Sequence, residues 1–203
     1  MVRSRFWLAL ILLIAVIFLT IGCQALATGY EFHGTQFDPP LAVPDFELMD
    51  ANGQPFRFSE TQSQFNLIYF GYTFCPDVCP LTMFDLKETL EGLPDEAPIN
   101  VIFISVDPDR DTPELVERYV SSFGPEFIGL TDDYAKIEEV MLAYGAYAEK
   151  EETPGSAAEY LVNHTARVYL MTPEDGILLT YPFGFEPEDL RSDLVYLLET
   201  NDS

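Results

Sequence analysis

Hydrophobic and polar positions divide this chain of 203 residues into stretches of different character. Residues 6–22 form one uncharged apolar run behind Arg3 and Arg5, the kind of segment that enters a membrane rather than a core. Seventeen residues is near the lower limit for a spanning helix, so residues 1–23 read as a membrane anchor or signal segment. Residues 24–43 contain Gly29, Gly34, Pro39 and Pro40 without sustained periodicity and read as a linker, with His33 a solvated residue inside it. A single domain is then expected over 44–203.

Within that domain the periodicity alternates between strand and helix. Phe46-Glu47-Leu48-Met49 and Phe56-Arg57-Phe58 alternate around Asp50-Ala51-Asn52-Gly53, a hairpin signal. Leu67-Ile68-Tyr69-Phe70 and Val101-Ile102-Phe103-Ile104 are continuously apolar, as strands buried on both faces are. Between them Met83, Leu86 and Leu90 share one face of a helix that Pro80 can start and that Gly92 and Pro94 stop. Thr112 and Pro113 are a cap and first position for a second helix with Val116, Val120 and Phe123 inward. Residues 127–130 read as a strand, and Ile137, Val140, Met141 and Tyr144 as a third helix. Residues 149–155 are charged and loop-like. Strands at 167–171 and 177–181 flank a Pro173-Glu174-Asp175-Gly176 turn, and Pro187 opens a last helix with Leu190, Leu194, Leu197 and Leu198 inward. Parallel crossovers in the centre followed by antiparallel strands predict an α/β protein of thioredoxin-like fold, with an N-terminal β-hairpin and a preceding anchor helix.

Charge adds orientation and excludes a partner class. The two arginines before the apolar run favour a cytoplasmic N-terminus, with the domain exported. Cys23, at the end of that run, is a candidate lipid-attachment site. A formal net charge of −24 disfavours nucleic acid as a partner.

The candidate chemistry lies in Phe70-Gly71-Tyr72-Thr73-Phe74-Cys75-Pro76-Asp77-Val78-Cys79-Pro80, between a strand and a helix. There the helix N-terminus stabilises thiolate over thiol. Three intervening residues put Cys75 and Cys79 about one helical turn apart, near enough to form a disulfide and also to clamp one ion. Two thiolates with an imidazole suit monovalent copper, and divalent copper can bind such a set, whereas structural zinc normally takes four protein ligands. His164, in Tyr160-Leu161-Val162-Asn163-His164-Thr165 before a predicted strand, can reach the thiols in a thioredoxin-like fold; its alternative is a hydrogen bond at a strand end. Met83 reads as core rather than thioether ligand, and Asp77 as either a tuner of the thiols or a turn residue.

The cysteine motif, together with Ser105-Val106-Asp107-Pro108-Asp109-Arg110-Asp111-Thr112-Pro113 and Val162-Asn163-His164-Thr165, resembles the Sco/SenC family of copper proteins over residues 45–200. That resemblance implies one copper ion held by Cys75, Cys79 and His164, and a role in assembling the dinuclear copper centre of cytochrome c oxidase. It implies as partners the copper-bearing oxidase subunit and a thiol reductant or copper donor protein. Asn163 and Thr165 depart from the Asp and Ser that often flank the family's histidine. Asp107 and Asp111 read as capping and loop-closing residues, not ligands.

The leading expectation is therefore a membrane-tethered copper metallochaperone on the extracytoplasmic side. Its competitor is a thiol-disulfide oxidoreductase in which Cys75 and Cys79 are a redox-active pair. Thr73, two residues before Cys75, also raises a peroxiredoxin-like peroxidase, although the fuller motif of that class is missing. In an exported location a Cys75–Cys79 disulfide would remove both thiolates, so redox state would gate metal binding.

Overall fold

The structure, a computed structural model, describes residues 29–94, 97–153 and 158–201, and the described elements all lie within the unit that begins at Phe32. The apolar run 6–22, Arg3, Arg5 and Cys23 lie outside the described residues. Among the described residues no helix is long and apolar enough to cross a membrane.

The strands are β1 (Thr35–Leu41), β2 (Glu47–Met49), β3 (Pro55–Arg57), β4 (Phe65–Gly71), β5 (Ile99–Ser105), β6 (Phe127–Leu130), β7 (Ala148–Glu152), β8 (Tyr160–His164), β9 (Arg167–Thr172) and β10 (Gly176–Pro182). The helices are α1 (Val78–Glu91), α2 (Pro113–Val120), α3 (Tyr134–Ala143) and α4 (Pro187–Asn201). Six strands form one sheet in the order β1-β10-β9-β4-β5-β6, while β2-β3 and β7-β8 are separate two-stranded sheets. β4, β5 and β6 are parallel, and β9, β10 and β1 add to them antiparallel. The parallel centre and antiparallel end are as the pattern predicts.

β4 is buried along its whole length, which is why its sequence shows no alternation. Its residues divide the core in two. Tyr69 and Phe103 face the layer in which Phe84 of α1, Phe123 just past α2 and Tyr119 of α2 make a chain of ring contacts to Phe103. Phe70 and Tyr169 face the opposite layer, where Tyr144 joins them to Phe46 of the β2–β3 side. α4 lies against α1, with Arg191 donating to the backbone carbonyls of Glu88 and Thr89. Thr112 caps α2 by accepting from the Leu115 N–H, with Pro113 at the first turn as expected.

Two stretches differ from the sequence reading. The segment 24–43, read as a linker, contributes β1, so the domain begins ahead of residue 44. β1 is exposed at nearly every position and contains Pro39 and Pro40, tolerated on an edge strand, so it has no apolar period to read. The segment 149–155, read as a loop, supplies most of β7, whose last four residues are all exposed and charged.

The buried Asp193 of α4 fixes the approach to β1. Its carboxylate accepts from the N–H groups of His33 and Gly34 at 3.0 Å each and from the Tyr181 hydroxyl at 2.6 Å. A side chain at residue 34 would meet the Tyr181 ring at 2.6 Å, so only glycine fits. His33 is exposed, as read from the sequence, but its backbone is tied to α4 and its Nδ1 lies 3.2 Å from Asp189, so it does not belong to a free linker. Asp193→Ala is expected to cost about 3 kcal/mol by stranding these donors, read by urea unfolding, and to speed amide exchange across β1.

Candidate metal centre

β4 ends at Gly71, and the chain turns through Thr73-Phe74-Cys75-Pro76-Asp77 into α1. Asp77 is the N-cap residue, yet its side chain makes no capping hydrogen bond. Cys75 takes over that work: its Sγ accepts from the Cys79 N–H at 3.4 Å, one of the donors a helix start leaves unpaired. Pro80 falls within the first turn, where its missing N–H costs nothing, so α1 begins two residues before the position the sequence suggested.

His164 is the last residue of β8 and pairs across the hairpin with Ala148. Its Nε2 lies 3.4 Å from Cys79 Sγ, and its Nδ1 lies 3.3 Å from the Thr165 carbonyl oxygen. A carbonyl oxygen can only accept, so Nδ1 carries a proton and Nε2 is the ring nitrogen turned to the sulfurs. The Tyr69 and Tyr72 rings meet the imidazole edge-on at 6.1 and 5.8 Å and restrict its tilt.

The ligand atoms of Cys75, Cys79 and His164 all lie within 4.8 Å of one another, the one such cluster among the described residues. Both cysteines are free thiols, Cys79 buried and Cys75 partly exposed. Hydrogen bonding from the Cys79 thiol, then from the His164 ring and the backbone N–H groups of Asp77 and Cys79, lowers the Cys75 thiol to about 3 against the opposing effect of burial. Cys79 moves the other way, because it is bonded to the Cys75 sulfur and is itself buried. The pair therefore holds one thiolate and one thiol. Two sulfurs and an imidazole nitrogen in a half-buried aromatic pocket are a soft donor set, which fits a monovalent copper ion better than a hard cation.

The surrounding residues hold this arrangement in place. A side chain at Gly71 would meet Phe103, Tyr69 and Cys79 Sγ at 2.7, 2.9 and 3.1 Å, so glycine is required for Cys79 to approach the strand. The buried Asp111 carboxylate accepts from the Thr73 N–H at 2.9 Å, the Thr73 hydroxyl at 2.5 Å and the Ser105 hydroxyl at 2.6 Å, tying the cysteine turn to the end of β5. Tyr72 accepts from the Val162 N–H at 3.3 Å, and burial raises its phenol to about 12.

A family model described as SCO1/SenC matches residues 35–199, most of the chain. The chain belongs to the SCO1/SenC family. Protein SCO2, mitochondrial, of Saccharomyces cerevisiae is 37% identical over 131 residues, 64% of this chain but 44% of its own. The chain thus spans less than half the length of that relative. The apo Sco1 structure from Thermus thermophilus aligns with a TM-score of 0.74 and 37% identity, covering 84% of this chain and 99% of its own. Bradyrhizobium japonicum ScoI with copper bound aligns at 0.68 with 39% identity, covering 77% and 99%.

The SCO1/SenC match begins at the first residue of β1, in accord with the sheet rather than with the linker reading. Of the residues singled out in the sequence, Cys75, Cys79 and His164 are brought together, and Met83 is fully buried in the core as expected. Asp77 supports Cys75 through its backbone N–H. The Thr73 hydroxyl is turned to Asp111, away from peroxidase-like service to Cys75. Asn163 reaches Glu151 at 2.9 Å, and Thr165 accepts from the Tyr147 N–H at 3.1 Å, so His164 is oriented by a backbone carbonyl instead of a neighbouring carboxylate. Tyr69, Tyr72 and Ser105 escaped functional reading because buried aromatic and small residues at strand ends carry no signal distinct from core packing.

In the reduced, metal-free chain, iodoacetamide is expected to modify Cys75 and spare the buried Cys79. From about pH 8 to about pH 5 the Cys75 rate should stay within about twofold, because its thiolate persists above its lowered pKa, whereas an ordinary thiol slows about tenfold per unit. Peptide mass mapping of timed samples checks both points.

Proposed function

We propose that this chain takes up one copper ion through Cys75, Cys79 and His164 and passes it to the copper-bearing subunit of cytochrome c oxidase. It does so as a metallochaperone, tethered to the membrane by residues 1–23 with its domain on the extracytoplasmic side. The observation that carries the binding site is the convergence of two thiols and one imidazole within 4.8 Å from segments 85 residues apart. The copper-bound ScoI relative supports the choice of metal. The oxidase role follows from the family resemblance, and the tether from the apolar run behind Arg3 and Arg5.

The protein supplies a ready thiolate at Cys75, a second sulfur at Cys79 that must shed its proton, and a ring nitrogen already turned inward. The partly exposed side is where an incoming sulfur of the partner can replace these ligands one at a time. Oxidation of the thiolate–thiol pair to a disulfide releases two electrons and one proton and removes both sulfur ligands, so a thiol reductant must restore the pair.

A second reading has its own supporting observation. The accessible, acid-shifted Cys75 and the shielded Cys79 are the division expected of a thiol-disulfide oxidoreductase, with Cys75 attacking a target disulfide and Cys79 resolving the mixed disulfide. His164 separates the two, since thiol exchange should largely survive its loss whereas copper binding should not.

The reduced chain is expected to bind one equivalent of copper(I) with sulfur and nitrogen in its shell. His164→Ala should weaken binding by about a hundredfold and lose the nitrogen, measured by chelator competition and X-ray absorption. An unchanged shell, or thiol exchange as the activity that survives without any copper uptake by the wild type, overturns the copper reading. Affinity should also rise about tenfold per unit between about pH 7 and about pH 9, a slope of one proton, because Cys79 alone must deprotonate. A slope of two would show that Cys75 is protonated too.

A further inference from the structure

We propose that Arg110 is the positioning residue that brings His164 to the cysteines. This rests on reading Cys75, Cys79 and His164 as one metal site. The two halves of that site stand on different supports. The cysteines belong to the turn between β4 and α1, whereas His164 ends a hairpin, β7–β8, that shares no strand pairing with the main sheet. Pairing of β9 with β4 brings the end of β8 near the turn, but contacts outside the ladder must set the final placement of the ring.

Arg110, in the loop from β5 to α2, occupies the junction. Its Nε donates to Asp107 Oδ2 at 2.5 Å, and Asp107 is fully buried. Its Nη1 donates to the carbonyl oxygens of Tyr160 at 3.1 Å and Ala158 at 3.2 Å, the start of β8. The guanidinium carbon lies 3.7 Å from the centre of the Tyr160 ring and 5.1 Å from that of Phe74. Phe74 immediately precedes Cys75. Tyr160 stands four residues before His164, on the same face of β8 by the period of two. One planar cation thus touches both the residue next to a cysteine ligand and the strand that ends in the histidine.

Asp107 completes the clamp from below. Its second oxygen accepts the Tyr160 hydroxyl at 2.8 Å, so both the backbone and the side chain of Tyr160 are tied to the Asp107–Arg110 pair. On the outer side Lys150 lies 4.8 Å from the Tyr160 ring and pairs with Asp109, which holds β7 as well. The chemistry requires arginine: a planar fork can bond a carboxylate and two carbonyls in its plane while its faces stack on rings, and an ammonium cannot. The cysteine turn has its own anchors in Asp111 and α1. Losing Arg110 should therefore release the histidine and leave the sulfurs in place.

The chain contains two histidines, His33 and His164, so ¹³C-labelled histidine gives two ring signals, and His33 beside α4 reports the integrity of the remaining fold. In the reduced, metal-free full chain, His164 is expected to show cross-peaks to the Tyr69 and Tyr72 rings. Arg110→Met should lose them while the His33 signal stays in place, and Tyr160→Ala, which removes the stacked ring and hydroxyl, should do the same. With copper(I) added, Arg110→Met should bind about tenfold more weakly and lose the nitrogen from its X-ray absorption shell, with Arg110→Lys failing to restore it. Retained His164 cross-peaks in Arg110→Met, or changes that reach His33 in both variants, overturn the proposal. A wild type that takes up no copper overturns the proposed function instead, and the metal-free cross-peaks still decide the role of Arg110.

Discussion

The close approach of Cys79 to the end of β4 is the constraint on which the site depends. Gly71 pairs with Ser105 in the parallel ladder, and its bare α-carbon leaves Cys79 Sγ room beside Tyr69 and Phe103. Because β4 is buried on both faces, neither the strand nor the rings can move aside to admit a side chain. The helix that follows must therefore start where it does, and its first free N–H groups meet Cys75. Ser105, the ladder partner of Gly71, also donates to Asp111, which holds Thr73 two residues before Cys75. Backbone pairing and side-chain bonding thus fix the same turn from two directions.

This fixed half meets a second half held by different forces. The hairpin that carries His164 is joined to the body by the buried Val162 and by polar contacts, among them Val162 N–H to the Tyr72 hydroxyl at 3.3 Å and Arg110 to the Tyr160 carbonyl at 3.1 Å. Individual bonds of this kind contribute about 1 kcal/mol each, against the many buried contacts that hold β4. The sulfurs accordingly rest on more buried contacts than the nitrogen does.

Much of this was legible in the sequence, and particular residues show why. The unbroken apolar runs at 67–70 and 101–104 could only be interior strands, and Thr112-Pro113 marked the start of α2 within one residue. The proline- and glycine-framed cysteines and the late histidine pointed to one centre because so few other residues in the chain bind soft metals. The hidden parts share one property, which is that they owe their placement to partners distant in sequence. β1 is exposed and proline-containing, and it exists as a strand because β10 and Asp193 receive it. Arg110 sits in a motif that was recognised, but its stacking on Tyr160, 50 residues later, has no local signature. The linker and loop readings erred for this reason, whereas the hairpin turn at Asp50 was visible because Asp50 bonds the N–H groups of Asn52 and Gln54 nearby.

The charged face of β7 has a meaning beyond having concealed the strand. In this two-stranded sheet β8 turns its outward groups to Tyr72 and Arg110, which leaves β7 as the edge exposed to any extended chain that passes. β7 answers with Glu149, Lys150, Glu151 and Glu152, all exposed. On a chain of net charge −24, three carboxylates in four residues make the approach of a second copy of the same edge repulsive. The hairpin can therefore stand apart from the main sheet without recruiting strands from its neighbours, and crowding of these molecules would not by itself knit them together.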